Sequence, residues 1–171
     1  MMSRTTSRAI FTACMTAALT ACASGQVTRL TAEPIKQPKV LALDAPDAPW
    51  VSNIQRRLVE HGFTVKRWGS TAEVTQAAGA GRVEQYNEAT TRYVLIVGGG
   101  GAPLHWSERC FGGGYKFDSI SVDLVDTREN ETLLNVNGSG YSEGCPPLSG
   151  SIFHDIAAAV DDVWAEPGFN G

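Results

Sequence analysis

The chain has 171 residues, of which 43% are hydrophobic and 19% charged, and its formal net charge is −4 at pH 7. This length is enough for one domain with its own hydrophobic core. The acidic balance argues against nucleic acid or anionic lipid as the partner.

The first 21 residues have the three parts of a secretory signal. Arg4 and Arg8 precede an apolar run over residues 9–19, and small residues follow it. The run is about half as long as the roughly 20 apolar residues that a membrane-spanning helix needs. We therefore predict a signal peptide over residues 1–21.

Residues 19–22 read Leu-Thr-Ala-Cys, which resembles the lipobox of bacterial lipoproteins. The resemblance implies cleavage before Cys22 and lipidation of its thiol, and ordinary secretion with cleavage nearby is the alternative. Ala23 and Ser24 follow, whereas an aspartate at that place retains enterobacterial lipoproteins in the inner membrane. The resemblance thus implies a location at the periplasmic face of the outer membrane. Removal of the signal with Arg4 and Arg8 takes the formal net charge from −4 to −6.

Residues 22–39 have neither helical nor strand periodicity and contain Pro34 and Pro38. We expect a flexible, lipidated tether here, with a first edge strand inside it as the alternative. A coil of this length would hold the domain on the order of 20 Å from the bilayer. Residues 40–171 then form a single domain.

The domain begins with a β-α-β pattern. Residues 40–43 are a short apolar run, typical of a buried strand, and residues 63–68 alternate as a strand with one wet face does. Between them, apolar residues recur at helical spacing over residues 51–58, and Gly62 favours a helix stop.

Three helix starts carry capping residues. Asp44 or Asp47 is expected to cap the first helix, and Ser151 the last. Residues 70–73 have the spacing of a capping box, which predicts a further helix that resumes over residues 82–89 after a glycine interruption.

Four more elements follow in the second half of the chain. Residues 93–97 are apolar on both faces, as in a central strand. Residues 118–126 and 132–136 alternate with a period of two around a polar turn, which predicts a hairpin. Apolar residues at helical spacing over residues 152–164 predict a final helix packed on the sheet.

The order β-α-β-α-β-β-β-α predicts an α/β (α+β) fold, a single two-layer or sandwich domain with a mixed five-stranded sheet and about three helices. In element order alone it resembles the small α/β domains of envelope lipoproteins and periplasmic assembly factors, such as the N-terminal domain of the translocation protein TolB or the penicillin-binding-protein activator lipoproteins. The resemblance implies a place in the envelope, but a fold does not fix a function.

Of the four cysteines, Cys14 leaves with the signal and Cys22 is the predicted lipidation site, so Cys110 and Cys145 remain for the folded part. In an oxidising periplasm this pair predicts a disulfide. A zinc site with His105 and His154, or a nucleophilic Cys110 with a histidine base, is the alternative. The paired spacing of strong zinc motifs is missing, so we predict no metal and no cofactor.

Residues 98–116 form a long loop with seven glycines. Such loops, about 19 residues long, are usually functional or disordered. Glycines allow close approach of the backbone, and large rings are enriched at interfaces. We predict that the loop binds a partner, and the alternative is that its rings fold back on the core. The residues concerned are Leu104, His105, Trp106, Phe111 and Tyr115.

These features together predict a lipid-anchored envelope protein that is not an enzyme. Its domain would bind a protein or cell-wall partner and no nucleic acid. The competing hypothesis is a small periplasmic hydrolase or metal-binding enzyme that uses His105 and His154. No sequence motif of a hydrolase or metalloprotease supports it.

Overall fold

The computed structural model describes residues 24–68, 91–100, 109–146 and 150–165. Over these residues the chain is α+β, with six strands in one open, mixed sheet and two helices. The elements are β1 (Ser24–Arg29), β2 (Val40–Asp44), α1 (Val51–Glu60), β3 (Thr64–Arg67), β4 (Tyr93–Gly100), β5 (Lys116–Asp126), β6 (Glu131–Tyr141) and α2 (Ile152–Asp162).

The strand order across the sheet is β1-β6-β5-β4-β2-β3. The pairs formed by β2 with β3 and with β4 are parallel, and the other three pairs are antiparallel. The helix α1 connects β2 to β3, whereas a tight turn with Asn130 at φ 53° joins β5 to β6. The predicted α+β class and mixed sheet are confirmed, with β4 in the interior of the sheet.

The strand β1 corrects two predictions. Ser24–Arg29 pairs antiparallel with β6 in a continuous register, so the described sheet has six strands instead of five. The following segment is held as well, since the Ile35 N–H donates to the Val163 carbonyl at 2.9 Å and Gln37 accepts from the Tyr93 hydroxyl at 2.8 Å. From Ser24 onward the chain is therefore an edge strand and an attached segment, and not the flexible tether that we expected.

The helix caps also differ from expectation. Trp50 occupies the N-cap position of α1 without a side-chain cap, so neither Asp44 nor Asp47 caps this helix. Ser151 does occupy the N-cap position of α2, but its hydroxyl donates to the Asp155 carboxylate at 2.6 Å and not to a backbone N–H. The predicted helix between residues 70 and 89 lies outside the described residues, which contain two helices where about three were expected.

The core lies between one face of the sheet and the two helices. Directly paired residues share a face, and Leu95, Leu124 and Leu134 form such a row across β4, β5 and β6. Apolar residues of α1 and α2 cover this row. On the opposite face Ile96 is 41% exposed, so β4 is not buried on both faces along its whole length. Neither helix in the described ranges is long and apolar enough to cross a membrane.

Candidate functional site

A disulfide joins the segment before β5 to the segment after β6. The Cys110 and Cys145 sulfurs are bonded, with their Cα atoms 5.0 Å apart, as the cysteine count predicted. This bond lies just past the Lys116–Tyr141 pair that ends the β5–β6 ladder. We call this end of the sheet the stapled end, and residues 110–114 the stapled turn.

The backbone of the stapled turn is closely fitted to the segment that it faces. The Cys110 carbonyl accepts from the Gly113 N–H at 2.7 Å, and the Gly114 N–H donates to the Gly144 carbonyl at 2.9 Å. A Cβ at Gly114 would lie 2.4 Å from the Glu143 carbonyl oxygen, and one at Gly112 would lie 2.5 Å from that of Gly144. Glycine is therefore required at positions 112 and 114 by close approach.

The structure describes two aromatic residues of the predicted loop, and they differ in exposure to solvent. Tyr115 is 2% exposed and packs against Phe117 and Phe153, so it belongs to the core, as the alternative interpretation held. Phe111 lies on the stapled turn and is 99% exposed. An almost fully exposed phenylalanine on a constrained turn is the candidate contact residue of this site. Leu104, His105 and Trp106 lie outside the described residues.

The N-terminal strand begins at the same end of the sheet. Ser24, the first residue of β1, pairs with Ser139, two residues before the end of β6 at Tyr141. Cys22 itself lies outside the described residues, but the sequence places it two positions before Ser24. The predicted lipidation site and the stapled turn are thus connected to the same end of the sheet.

The histidine site of the competing hypothesis is placed only in part, because His105 lies outside the described residues. His154 is exposed on α2, and its ring centroid lies 6.0 Å from that of His61. His61 Nδ1 lies 3.3 Å from the Asp161 carboxylate, which also pairs with Lys39. Within the described ranges, no group of three or more His, Cys, Asp or Glu side chains is arranged to hold a metal ion.

The electrostatics of this cluster favour a charged Asp161. Burial of its carboxyl group raises its pKa, but the hydrogen bonds from Lys39 and His61 and their charges lower it by more. The pKa of Asp161 therefore lies below its ordinary value. The cluster links the segment before β2 and the end of α1 to the end of α2. The sequence alone did not indicate it, because its members are far apart along the chain.

Sequence reasoning also missed a cleft of about 550 Å³ beside the start of α1. It opens where the parallel strands β2 and β3 end, which is where ligands of open α/β sheets commonly bind. The sequence signal that could have revealed this cleft is the β-α-β pattern, because it places the carboxyl ends of two parallel strands side by side. Its lining includes Asp44, Asp47, Gln55, Lys66 and Trp68.

No family model matches the chain, and no curated protein matches it either. Among solved structures, the PelC dodecamer from Paraburkholderia phytofirmans is 17% identical, with 83% of this chain and 99% of that chain covered and a TM-score of 0.48. TolB from Acinetobacter baumannii is 14% identical, with a TM-score of 0.42, and the match covers 83% of this chain but 31% of TolB. Both TM-scores lie below 0.5, so neither likeness bears on function.

Proposed function

We propose that this protein is an envelope lipoprotein, anchored through an acylated Cys22 at the periplasmic face of the outer membrane. Its single α+β domain serves as a non-catalytic binding or accessory domain for a protein or cell-wall partner, and the stapled turn is a surface through which the domain contacts the envelope. The observation that carries the proposal is Phe111, which is 99% exposed on a turn closed by a disulfide.

An exposed phenylalanine has a specific physical meaning on this turn. Large apolar side chains are normally buried, and burying one stabilises a complex by roughly 1.5–3 kcal/mol. The disulfide and the glycine contacts hold the turn in one conformation before it meets a partner. Less conformational entropy is then lost on contact, which favours binding.

The anchor is tested by replacing Cys22 with Ser in the full-length chain. The variant is expected to lose palmitate labelling and to move from the membrane pellet to the soluble periplasmic fraction. Cys14→Ser is the matched control, because this cysteine leaves with the signal, and it should keep both label and location. A Cys22→Ser protein that stays in the pellet with its label would overturn the anchor.

The contact surface is tested by hydroxyl-radical footprinting of the protein in intact envelopes and of the soluble Cys22→Ser variant. Phe111 is expected to react readily in the soluble variant and to be protected in the envelope. Leu30 is a matched control, since it is apolar, 58% exposed and follows the other end of β1. Equal reactivity of Phe111 in the two samples would show that the turn contacts nothing.

The competing proposal remains an enzyme that uses His105 and His154. Neither cysteine of the Cys110–Cys145 disulfide is free to act as a nucleophile or as a zinc ligand, which removes two members of that hypothetical site. Hydrolysis of ester, amide or cell-wall substrates by the purified chain, lost in His154→Ala, would favour the enzyme over the binding domain.

A further inference from the structure

The distance between the anchor and the folded domain is very short. Only Ala23 separates Cys22 from Ser24, where β1 begins. Two Cα–Cα steps span at most about 7–8 Å. If Cys22 is acylated, as the proposed function holds, its lipid leaves from the sheet itself and not from the end of a long tether.

The direction in which the lipid leaves is set by the strand register. Ser24 pairs with Ser139, and β6 ends two residues later at Tyr141, which pairs with Lys116 at the stapled end. Two residues of a strand span about 7 Å. The Asp126–Glu131 pair marks the opposite end of the β5–β6 ladder, which we call the far end. Since β5 has 11 residues, the far end lies roughly 30 Å away.

The side chains at the stapled end suit a water–lipid boundary. Phe111 projects into solvent, and the Arg109 guanidinium covers the buried Tyr115 ring at 4.6 Å from its centroid. The Lys116 and Asp118 side chains are 58% and 72% exposed and lie 3.8 Å apart. One exposed ring with a polar rim of mixed charge fits contact with the lipid interface through apolar burial, without a need for anionic lipid.

We propose that the stapled end lies against the bilayer that holds the Cys22 lipid, with Phe111 inserted at the boundary between headgroups and acyl chains. The partner of the stapled turn is then the membrane itself. This inference rests on the proposed lipid anchor, and it specifies which molecule covers the contact surface. The surfaces left for a protein or cell-wall partner are those that face the periplasm, at and towards the far end.

The test places a photo-crosslinking residue in the full-length, lipidated protein in native envelopes. Phe111→p-benzoylphenylalanine is compared with Arg128→p-benzoylphenylalanine, an exposed position in the turn at the far end. After irradiation, phospholipid adducts identified by mass are expected at least tenfold more often at position 111 than at position 128. Because Phe111 is 99% exposed, the substitution leaves the fold intact.

The other outcomes separate this inference from the proposed function. An adduct between position 111 and a protein, or equal lipid adducts at both positions, overturns the membrane contact and leaves the anchored binding domain standing. Absence of palmitate label on the unmodified protein overturns the anchor and the membrane contact together.

Discussion

The two ends of the sheet are held together by different means. At the stapled end, a disulfide and glycine backbone contacts fix the chain, and Phe111, the largest side chain of the stapled turn, is left exposed. At the far end, interactions between charged side chains hold the chain in place. There Asp126 is 4% exposed, and its carboxylate accepts hydrogen bonds from Arg92 Nε at 2.9 and 2.8 Å.

The comparison shows how one small domain can combine rigidity with an available surface. A covalent bond and backbone contacts leave side chains free to meet another molecule. Charged side chains that stabilise the fold are themselves occupied, and their contribution changes with pH. We therefore expect reductant, but not acid, to remove the contribution of the stapled end to stability. At the far end we expect acid, but not reductant, to do so.

Removing the disulfide is expected to have a large effect on stability. The double variant Cys110→Ser, Cys145→Ser removes a bond between two residues that are 35 positions apart in the sequence. For a loop of this size, the chain-entropy model gives a loss of about 3–4 kcal/mol in the free energy of unfolding. Urea unfolding of both proteins measures this loss, and Cys14→Ser serves as the control. An unchanged unfolding midpoint would mean that the glycine contacts hold this end without the bond.

Gly114→Ala isolates the backbone contacts, because the disulfide remains. The new Cβ would lie 2.4 Å from the Glu143 carbonyl oxygen and 2.7 Å from Cys145 Sγ, so the backbone must shift. Overpacking of this kind costs about 1–3 kcal/mol. Gly25→Ala is the matched control, because the nearest atom to its Cβ would be 3.9 Å away, and it should change the unfolding free energy by less than about 0.5 kcal/mol. Equal unfolding midpoints for the two variants would contradict the close approach.

Asp126→Asn tests the far end, and we expect it to lower the free energy of unfolding by about 2 kcal/mol. The amide cannot replace the charge that faces Arg92, and it leaves the N–H groups of Arg128 and Glu129 with a poorer acceptor. Chemical unfolding at pH 7 measures the loss. Asp118→Asn, on a 72% exposed side chain, should have almost no effect. If both variants lose equal stability, the ion pair is not what holds the far end.

The same carboxylate predicts how stability depends on pH. Burial raises the pKa of Asp126, but the hydrogen bonds from Arg92 and from the two backbone N–H groups outweigh it and hold the pKa below its ordinary value. This contribution is present above the unfolded pKa of about 3.9 and is lost as pH falls through the lower folded pKa. Unfolding free energies measured from pH 6 down to pH 2 should fall less steeply in Asp126→Asn than in the wild type.

The smallest expected effect on stability belongs to Phe111→Ala. The side chain is 99% exposed, so its removal should change the free energy of unfolding by less than about 0.5 kcal/mol. Tyr115→Ala provides the contrast within the same loop, because it removes a buried ring and should cost about 3–5 kcal/mol. Thermal melts of the two variants measure the difference, and a large loss in Phe111→Ala would place its ring in the core.

The sequence predicted those helices and strands whose hydrophobic pattern can be read within the element itself. The periodicity of α1, the alternation of β5 and the run of β4 each reflect a buried face, and the cysteine count was enough for the disulfide. From the sequence, the strand β1 was only the alternative to a flexible tether, because its six residues, with Gly25 among them, form a strand through the edge that β6 provides. Burial of Tyr115 likewise depends on Phe153, which lies far along the chain.

The pairing of β1 with β6 has a mechanical consequence. Antiparallel hydrogen bonds run perpendicular to the strands, and β1 begins at the end of the sheet nearest to Cys22. A force that pulls on a lipid at Cys22 while the rest of the domain is held would draw β1 lengthwise along β6. All the hydrogen bonds of the pair would then share the load at once, whereas a sideways pull would break them one after another. The edge strand would act as a shear joint between the membrane and the domain.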